Sequence, residues 1–347
     1  LARFGLRVDG ASLLRQQPER IDHHQRDQPA DQQCAGDEAA ADQQHAPVLC
    51  ADPVLGLGHG RPQGDRRPAR GERPDAVFHA VEGDVRVAVA QLRQQIGDLL
   101  APFPKSRADI STAIVLVGAP QDIGVARNGG RTGAKDAPVA IRKALYKLTP
   151  YLYDNGRVVS LSSQRLFDAG DILTDGSLEE VHQRLRSVVR AILDAGGFPI
   201  VLGGGHDIAY PDGAALGDVV QEIGVVNLDA HTDVRPLIDG LAHSGSGFRQ
   251  LLEDKSFNMN QFIEFGIQSF SASVQHCDYV QASGGTVVFY DEIRKSGFEA
   301  AFAAALDKAA TDTKGTYISF DIDAIASAYA PGVSAPAAMG FTAYEYC

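Results

Sequence analysis

The chain has 347 residues, 44 acidic and 32 basic side chains, and a formal net charge of -12, and its length allows one large domain or two smaller ones. This acidic balance argues against nucleic-acid and membrane partners, because both are bound by basic patches. No run approaches the ~18 apolar residues of a membrane span, and the start lacks the apolar core of a secretory signal, so we expect a cytoplasmic protein.

The N-terminal part, residues 1–109, differs in composition from the rest. It is rich in Gln, Asp, Arg and Pro, and it lacks sustained apolar periodicity until about residue 76. Such a segment buries too little apolar surface to offset its ordering entropy, so we predict that it is disordered or non-native. Only residues 78–100 have the pattern of an amphipathic helix.

From residue 110 onward, strand-like and helix-like segments alternate. Short apolar runs predict strands over residues 113–117, 198–202, 223–228, 262–266, 286–289 and 317–320. Apolar spacing predicts helices over residues 138–147, 177–195 and 298–309. This alternation indicates a parallel sheet with helices on both faces, in which ligands gather beyond the carboxyl ends of the strands.

Three segments rich in metal-ligand side chains follow predicted strands. They are Gly203-Gly204-Gly205-His206, Asp229-Ala230-His231-Thr232-Asp233 and Asp321-Ile322-Asp323. Each alone has an ordinary interpretation, since a glycine-rich turn with a histidine is common and Asp-x-Asp often caps a strand or begins a helix. No P-loop or GxGxxG context supports a phosphate-binding role for the glycines.

The spacing of the ligand residues predicts a metal site. In an extended segment, side chains two residues apart share a face, so Asp229, His231 and Asp233 would converge, as would Asp321 and Asp323. Crowded carboxylates need cations to neutralise them. Four carboxylates and two imidazoles without a thiolate favour Mn²⁺ over a structural zinc ion. Two ions about 3.5–4 Å apart can generate hydroxide from water, which makes hydrolysis the expected chemistry.

These motifs, GGGHD, DAHTD and SFDID followed by a Pro-Gly segment, resemble those of the ureohydrolase family, which includes arginase, agmatinase and formimidoylglutamase. The resemblance covers residues 110–347. It implies a three-layer α/β arginase-like fold with a parallel sheet of about eight strands, two Mn²⁺ per subunit and a homo-oligomer. It also implies that this domain is C-terminally truncated, without its last strand and helix, which leaves the activity of this chain open.

The resemblance also implies a role for each ligand residue. His206 and Asp233 would bind one ion, His231 and Asp323 the other, and Asp229 and Asp321 would bridge the two. Asp233 would in addition hold the metal-bound hydroxide and relay a proton, which makes it the catalytic residue.

The loop over residues 124–134 and the segment Pro331-Gly332-Val333-Ser334-Ala335-Pro336 resemble the formimidoylglutamase branch. The expected reaction is hydrolysis of the linear amidine N-formimino-L-glutamate to L-glutamate and formamide, in histidine degradation. Arg235 follows Asp233 by two residues and suits a substrate carboxylate, because a guanidinium pairs with a carboxylate through two hydrogen bonds. The other expected substrate contacts are Asn128, Arg131 and Ser246.

Three alternatives remain open at this point. Arg235 could form an ordinary surface salt bridge. The enzyme could be an agmatinase, an arginase or a guanidino-acid hydrolase that releases urea, although a cationic substrate would be repelled by Arg235. The chain could also be a metal-binding fragment without catalytic activity.

Overall fold

The computed structural model describes residues 14–15, 94–104, 106–154 and 157–346. Most of the predicted N-terminal segment, residues 1–109, lies outside these residues. The same is true of most of the helix predicted over residues 78–100. Within its described end, the helical turn Ile96–Leu99 stops before Leu100, where a strand begins, so the predicted helix end was one residue too late.

The strands of the described residues, in chain order, are β1 (Leu14–Arg15), β2 (Leu100–Pro102), β3 (Ile114–Ala119), β4 (Tyr151–Asp154), β5 (Arg157–Ser160), β6 (Leu166–Ile172), β7 (Phe198–Gly203), β8 (Glu222–Leu228), β9 (Asn258–Ile267), β10 (Thr286–Phe289) and β11 (Gly315–Phe320). The helices are α1 (Ile96–Leu99), α2 (Ile123–Arg127), α3 (Ala137–Leu145), α4 (Leu178–Asp194), α5 (Ala209–Val220), α6 (Gly247–Glu253), α7 (Val274–Ala282), α8 (Tyr290–Ser296), α9 (Phe298–Ala309) and α10 (Ala343–Tyr346). None of these helices is both long enough and apolar enough to cross a lipid bilayer.

Two sheets carry the fold. In the first, β6, β3 and β7 are parallel neighbours, and β6 also pairs with β2 in parallel and with β1 in antiparallel orientation. In the second, β10, β9, β8 and β11 are all parallel. The strands β4 and β5 form a separate antiparallel hairpin. Parallel strands joined through helices are what the alternating sequence pattern predicted.

The predicted sheet of about eight parallel strands is incomplete among the described residues. The outer edges of β7 and β11 pair with no other described strand, so the parallel strands divide into two groups. At their carboxyl ends these edges approach each other, since the His206 ring, just past β7, lies 2.8 Å from the hydroxyl of Ser319 on β11. The divided sheet therefore still brings the strand ends to one place.

Helix α4 shows why the sequence folds locally as it does. Ser177 caps its first turn by accepting from the backbone N–H of Glu180, and the Glu180 carboxylate accepts from the backbone N–H of Ser177. The apolar positions at helical spacing are buried against the first sheet; they are Val181, Leu185, Val188, Val189 and Ile192. Burying a large apolar side chain contributes roughly 1.5–3 kcal/mol, so this face fixes the helix on the sheet.

An aromatic cluster packs the second sheet against α9. The ring of Phe265 on β9 contacts Phe298 and Phe302 of α9 and stacks on Phe341, with ring centroids 5.6–6.0 Å apart. These geometries are the edge-to-face and offset arrangements that aromatic pairs prefer. The cluster anchors the strand whose neighbour, β8, leads to Asp229.

Candidate metal centre

The three predicted segments meet at the carboxyl ends of β7, β8 and β11. His206 opens a short 3-10 turn after β7, Asp229 follows β8 directly, and Asp321 follows β11 and precedes a second turn, Ile322–Ala324. Gly204 explains the tight path after β7, because a Cβ there would overlap the backbone carbonyl oxygen of Gln121. The backbone of this turn therefore approaches its neighbour more closely than any other residue would allow.

One group of side chains surrounds the ring of His206. Its Nδ1 atom lies 2.9 Å from Oδ2 of Asp321, 3.1 Å from Oδ2 of Asp233 and 3.3 Å from Oδ2 of Asp229. Ligand atoms of these four residues all lie within 4.8 Å of one another. This compact set of one imidazole and three carboxylates has the size and chemistry of a site for one divalent ion.

A second group surrounds His231 and shares one member with the first. The Nδ1 atom of His231 lies 3.1 Å from Oδ2 of Asp323 and 3.5 Å from Oδ1 of Asp229. Asp229 therefore offers one oxygen to each group, as a bridging carboxylate does. Asp321 belongs to the first group only, so its bridging role stays a prediction.

The six residues converge, but not through the extended geometry that we expected. Strand β8 ends at Leu228, and Asp233 has a positive φ of 45°, which turns it back toward His206. Asp321 caps a 3-10 turn, and Asp323 lies within that turn, where its backbone N–H donates to the Asp321 carboxylate. Turns, and not alternation along a strand, therefore bring these side chains together.

The crowding of charges perturbs the pKa values of the cluster. Burial alone would lower the pKa of His231, but the hydrogen bonds to Asp229 and Asp323 outweigh it and raise the pKa to about 11. For His206, burial is likewise outweighed by Asp321, Asp229 and Asp233, so the pKa lies well above its ordinary value. Burial and the neighbouring carboxylates raise the pKa of Asp233 and of Asp323.

These pKa shifts indicate that the cluster would accommodate added positive charge. The cluster takes up protons to balance its carboxylates, and divalent cations would supply the same positive charge. One oxygen of Asp323, Oδ1, is buried and has no hydrogen-bond partner among the described residues. An oxygen-rich set with an unpartnered buried acceptor fits hard divalent ions such as Mn²⁺.

The four predicted substrate contacts have different surroundings in the structure. Arg235 is exposed and donates to Oδ1 of Asn128 at 3.1 Å, and the Asn128 amide donates to Ser244. Arg131 is instead engaged by backbone carbonyl oxygens, 3.1 Å from that of Pro331 and 2.6 Å from that of Val333.

Ser246 is fully buried, and its hydroxyl is used within its own loop by the backbone of His243. Arg131 and Ser246 therefore stabilise loops in this structure. Arg235 and Asn128 are the two predicted contacts that stand together at an accessible place.

Sequence reasoning missed a layer of polar residues behind the ligands. Asn227 and Ser319 each stand two residues before a ligand, Asp229 and Asp321 respectively, and both are buried. The signal was present, since side chains two apart on a strand share a face, but it was applied only to charged residues. Glu264, fully buried on β9, gave no comparable signal because its neighbour in space lies on another strand.

Comparison with known proteins places this geometry in a family. A sequence model of the arginase family matches residues 112–347. The formimidoylglutamase of Rhodococcus jostii is 37% identical over 239 residues, which cover 67% of this chain and 71% of that protein. The formimidoylglutamase of Geobacillus thermodenitrificans is 33% identical over 265 residues, covering 75% of this chain and 77% of that protein.

Solved structures agree with this placement. A crystal structure of the Trypanosoma cruzi formiminoglutamase with Mn²⁺ is 41% identical, with a TM-score of 0.64, covering 69% of this chain and 80% of that one. The formimidoylglutamase of Bacillus subtilis is 27% identical, with a TM-score of 0.66, covering 73% of this chain and 77% of that one. The expected arginase-like fold class is thereby confirmed, and the chain belongs to the arginase family.

Proposed function

We propose that this chain is a manganese-dependent hydrolase of the formimidoylglutamase branch, which cleaves N-formimino-L-glutamate to L-glutamate and formamide. The observation that carries the proposal is an accessible arginine, Arg235, two residues beyond the ligand candidate Asp233. The names of the most similar relatives support the same substrate. We propose His206, Asp229, His231, Asp233, Asp321 and Asp323 as the ligands of two Mn²⁺.

Bound manganese would activate water and act as a Lewis acid in such a site. The chain's own residues would then order the reaction. Asp233 stands beside His206 in the first group, where it would hold the attacking water and accept its proton. Water adds to the formimino carbon, the bond from that carbon to the glutamate nitrogen breaks, and Asp233 returns the proton to the leaving amine. The products are formamide and glutamate.

Arg235 would bind a carboxylate of the substrate, and its surroundings hold it ready. Its backbone N–H donates to the Gly245 carbonyl at 2.9 Å, and its side chain donates to Asn128. A Cβ on Gly245 would lie 3.1 Å from Cδ of Arg235 and 3.2 Å from Nδ2 of Asn128, so a glycine leaves room for this arrangement. Among the described residues, no carboxylate oxygen lies within 4.0 Å of the Arg235 guanidinium, which argues against an ordinary surface salt bridge.

The other arginines of the same region are already paired. Arg127 donates to Glu179 at 2.6 Å and to the carbonyl of Ala242 at 2.9 Å, and Arg131 is bound to backbone carbonyls. A guanidinium with remaining donors is suited to a carboxylate ligand. Agmatine has no carboxylate for this guanidinium to bind, which disfavours it as the substrate.

Product analysis tests this proposal. The Mn²⁺-loaded chain would be incubated in parallel with N-formimino-L-glutamate, agmatine and arginine, and formamide, glutamate and urea would be quantified. We expect formamide and glutamate in equal amounts from the first substrate and no urea from the other two. Release of urea from agmatine or arginine would establish the guanidino-hydrolase alternative, and no product from any substrate would leave a metal-binding fragment.

A further inference from the structure

Three buried polar side chains form a row across the second sheet. Two of them stand two residues before the proposed metal ligands Asp229 and Asp321. Ser319 on β11 is the register partner of Asn227 on β8, which is in turn the partner of Glu264 on β9. We call these three residues the polar row. Asn227 and Glu264 are fully buried and Ser319 is 5% exposed. Because side chains two apart share a face, the row lies on the face from which Asp229 and Asp321 continue.

The centre of the row holds Asp229 from behind. The amide of Asn227 donates to Oδ2 of Asp229 at 3.2 Å, and the backbone N–H of His231 donates to Oδ1 at 2.7 Å. Those two oxygens face different ligand groups, since Oδ2 is the one near His206 and Oδ1 is the one near His231. One donor behind each oxygen therefore fixes which way the shared carboxylate points.

Glu264 determines the orientation of the Asn227 amide. Its Oε2 atom accepts from Nδ2 of Asn227 at 2.8 Å. If the amide turned over, its carbonyl oxygen would face Oε2 of Glu264 and Oδ2 of Asp229, which both accept from Nδ2, and acceptor atoms repel one another. Two acceptors, one on each side of Nδ2, therefore keep its N–H groups directed at them.

The pair is poorly satisfied as a purely structural feature. Oδ1 of Asn227 and Oε1 of Glu264 are both buried without a hydrogen-bond partner among the described residues. Such burial is unfavourable, and an apolar pair of similar volume is often as stable as a buried polar pair. Asn227 and Glu264 stand beside Asp229, the ligand candidate that both groups share, and this position gives the pair a role that packing alone does not.

The other end of the row makes an equivalent contact to a histidine. The Ser319 hydroxyl lies 2.8 Å from Nε2 of His206, while Nδ1 of the same ring faces the first ligand group. A partner on one ring nitrogen sets the tautomer and the rotation of the ring, which directs the other nitrogen. Asn227 at the centre of the polar row and Ser319 at one end thus each contact one proposed ligand.

We propose that the polar row is a supporting layer of the metal centre, in which Glu264 orients Asn227, Asn227 orients Asp229, and Ser319 orients His206. These are positioning residues, because they act through ligands. The inference rests on the proposed function only in taking Mn²⁺ as the bound ion. It concerns metal affinity, so it can be tested apart from the identity of the substrate.

The test compares four variants of the full chain, Asn227→Leu, Glu264→Leu, Glu264→Gln and the double variant Asn227→Leu with Glu264→Leu. Mn²⁺ affinity would be measured by calorimetric titration of the metal-free protein, and unfolding of the metal-free protein would be followed by circular dichroism. Removing residues that orient metal ligands typically weakens binding about 10–100-fold, and we expect that loss for both leucine single variants. Glu264→Gln keeps an acceptor for Asn227, so its affinity should stay within about threefold of the parent.

The double variant separates positioning from an independent effect. If Glu264 acts through Asn227, the double variant binds Mn²⁺ no more weakly than Asn227→Leu alone. Losses that multiply in the double variant, or a Glu264→Leu variant with unchanged affinity, would overturn the proposal. A fall in metal-free stability that accounts for the whole loss of affinity would also overturn it, because the row would then be structural.

Ser319→Ala tests the contact between the polar row and His206. We expect one of the two Mn²⁺ ions to bind more weakly and the other to be unaffected, since Ser319 contacts His206 of the first ligand group and, among the described residues, no member of the second. Equal weakening of both ions, or of neither, would contradict its role. A parent chain that binds two Mn²⁺ but releases no formamide would contradict the proposed function and leave this test intact.

Discussion

The Nδ1 atom of His231 lies 3.1 Å from Oδ2 of Asp323, although one residue follows β8 and the other follows β11. These strands are hydrogen-bonded neighbours, and Leu228 and Phe320, their last residues, are register partners. The pairing therefore places the two following segments side by side. A parallel sheet assembles such a site because it gathers strand ends that are distant in the sequence.

Asp229→Ala should abolish stoichiometric Mn²⁺ binding. Asp229 is the only member common to both ligand groups of the described residues, so its loss removes a carboxylate from each. Bound manganese would be counted by elemental analysis after gel filtration. Asp307→Ala, on the exposed side of α9, is the matched control and should retain the parent's metal content. Two ions per chain in Asp229→Ala would contradict the proposed ligand set.

Arg235→Ala should raise KM for N-formimino-L-glutamate about 10–100-fold with a smaller change in kcat, because a hydrogen-bonded charge pair is worth roughly 1.5–3 kcal/mol. Arg235→Lys should recover only part of the loss, because a lysine cannot bind a carboxylate through a planar pair of donors. Steady-state kinetics at saturating Mn²⁺ measures both constants. An unchanged KM in Arg235→Ala would remove Arg235 from the substrate site.

Gly224→Ala should destabilise the protein by roughly 1–3 kcal/mol, the usual cost of forcing an extra carbon into a packed interior. A Cβ at Gly224 on β8 would overlap the backbone carbonyl oxygen of Ala309, which cannot rotate away. Gly332→Ala is the control, since a Cβ there meets nothing within 4 Å. Denaturant unfolding of both variants would check this, and equal midpoints would refute the packing argument.

Asp212 should make stability depend on pH. Burial raises its pKa from 3.8 to about 7, against a smaller lowering by a hydrogen bond with Tyr317. Between these values the folded chain keeps a proton that the unfolded chain releases, so the free energy of unfolding falls as pH rises through this window. Asp212→Asn removes this pH-dependent contribution. The free energy of unfolding of the variant, compared with that of the parent, should therefore be more favourable at pH 8 than at pH 5. Unfolding curves at both values would show it, whereas a constant difference would count against the shifted pKa.

Much of the fold could be predicted from local patterns. The strand over residues 286–289 and the helix over residues 298–309 are confirmed at both ends, because each is a short, strongly patterned segment with clear limits. Strand β6 was missed because Asp168, Gly170 and Asp171 interrupt its apolar pattern. The structure explains these residues, since buried Arg142 on α3 binds Asp168 at 2.8 Å and also pairs with Asp171.

By itself, the sequence determined the chemistry of this protein. Six ligand-type side chains at the ends of apolar runs, in a recognisable order, were sufficient to predict a metal-dependent hydrolase of this family. That information is local, because it consists of residue types and their spacing. Only the tertiary structure decided how the side chains converge, which arginine stays accessible, and which uncharged residues stand behind the ligands. Those features depend on strand register, on turns such as the one at Asp233, and on contacts between distant segments, none of which spacing along one segment can specify.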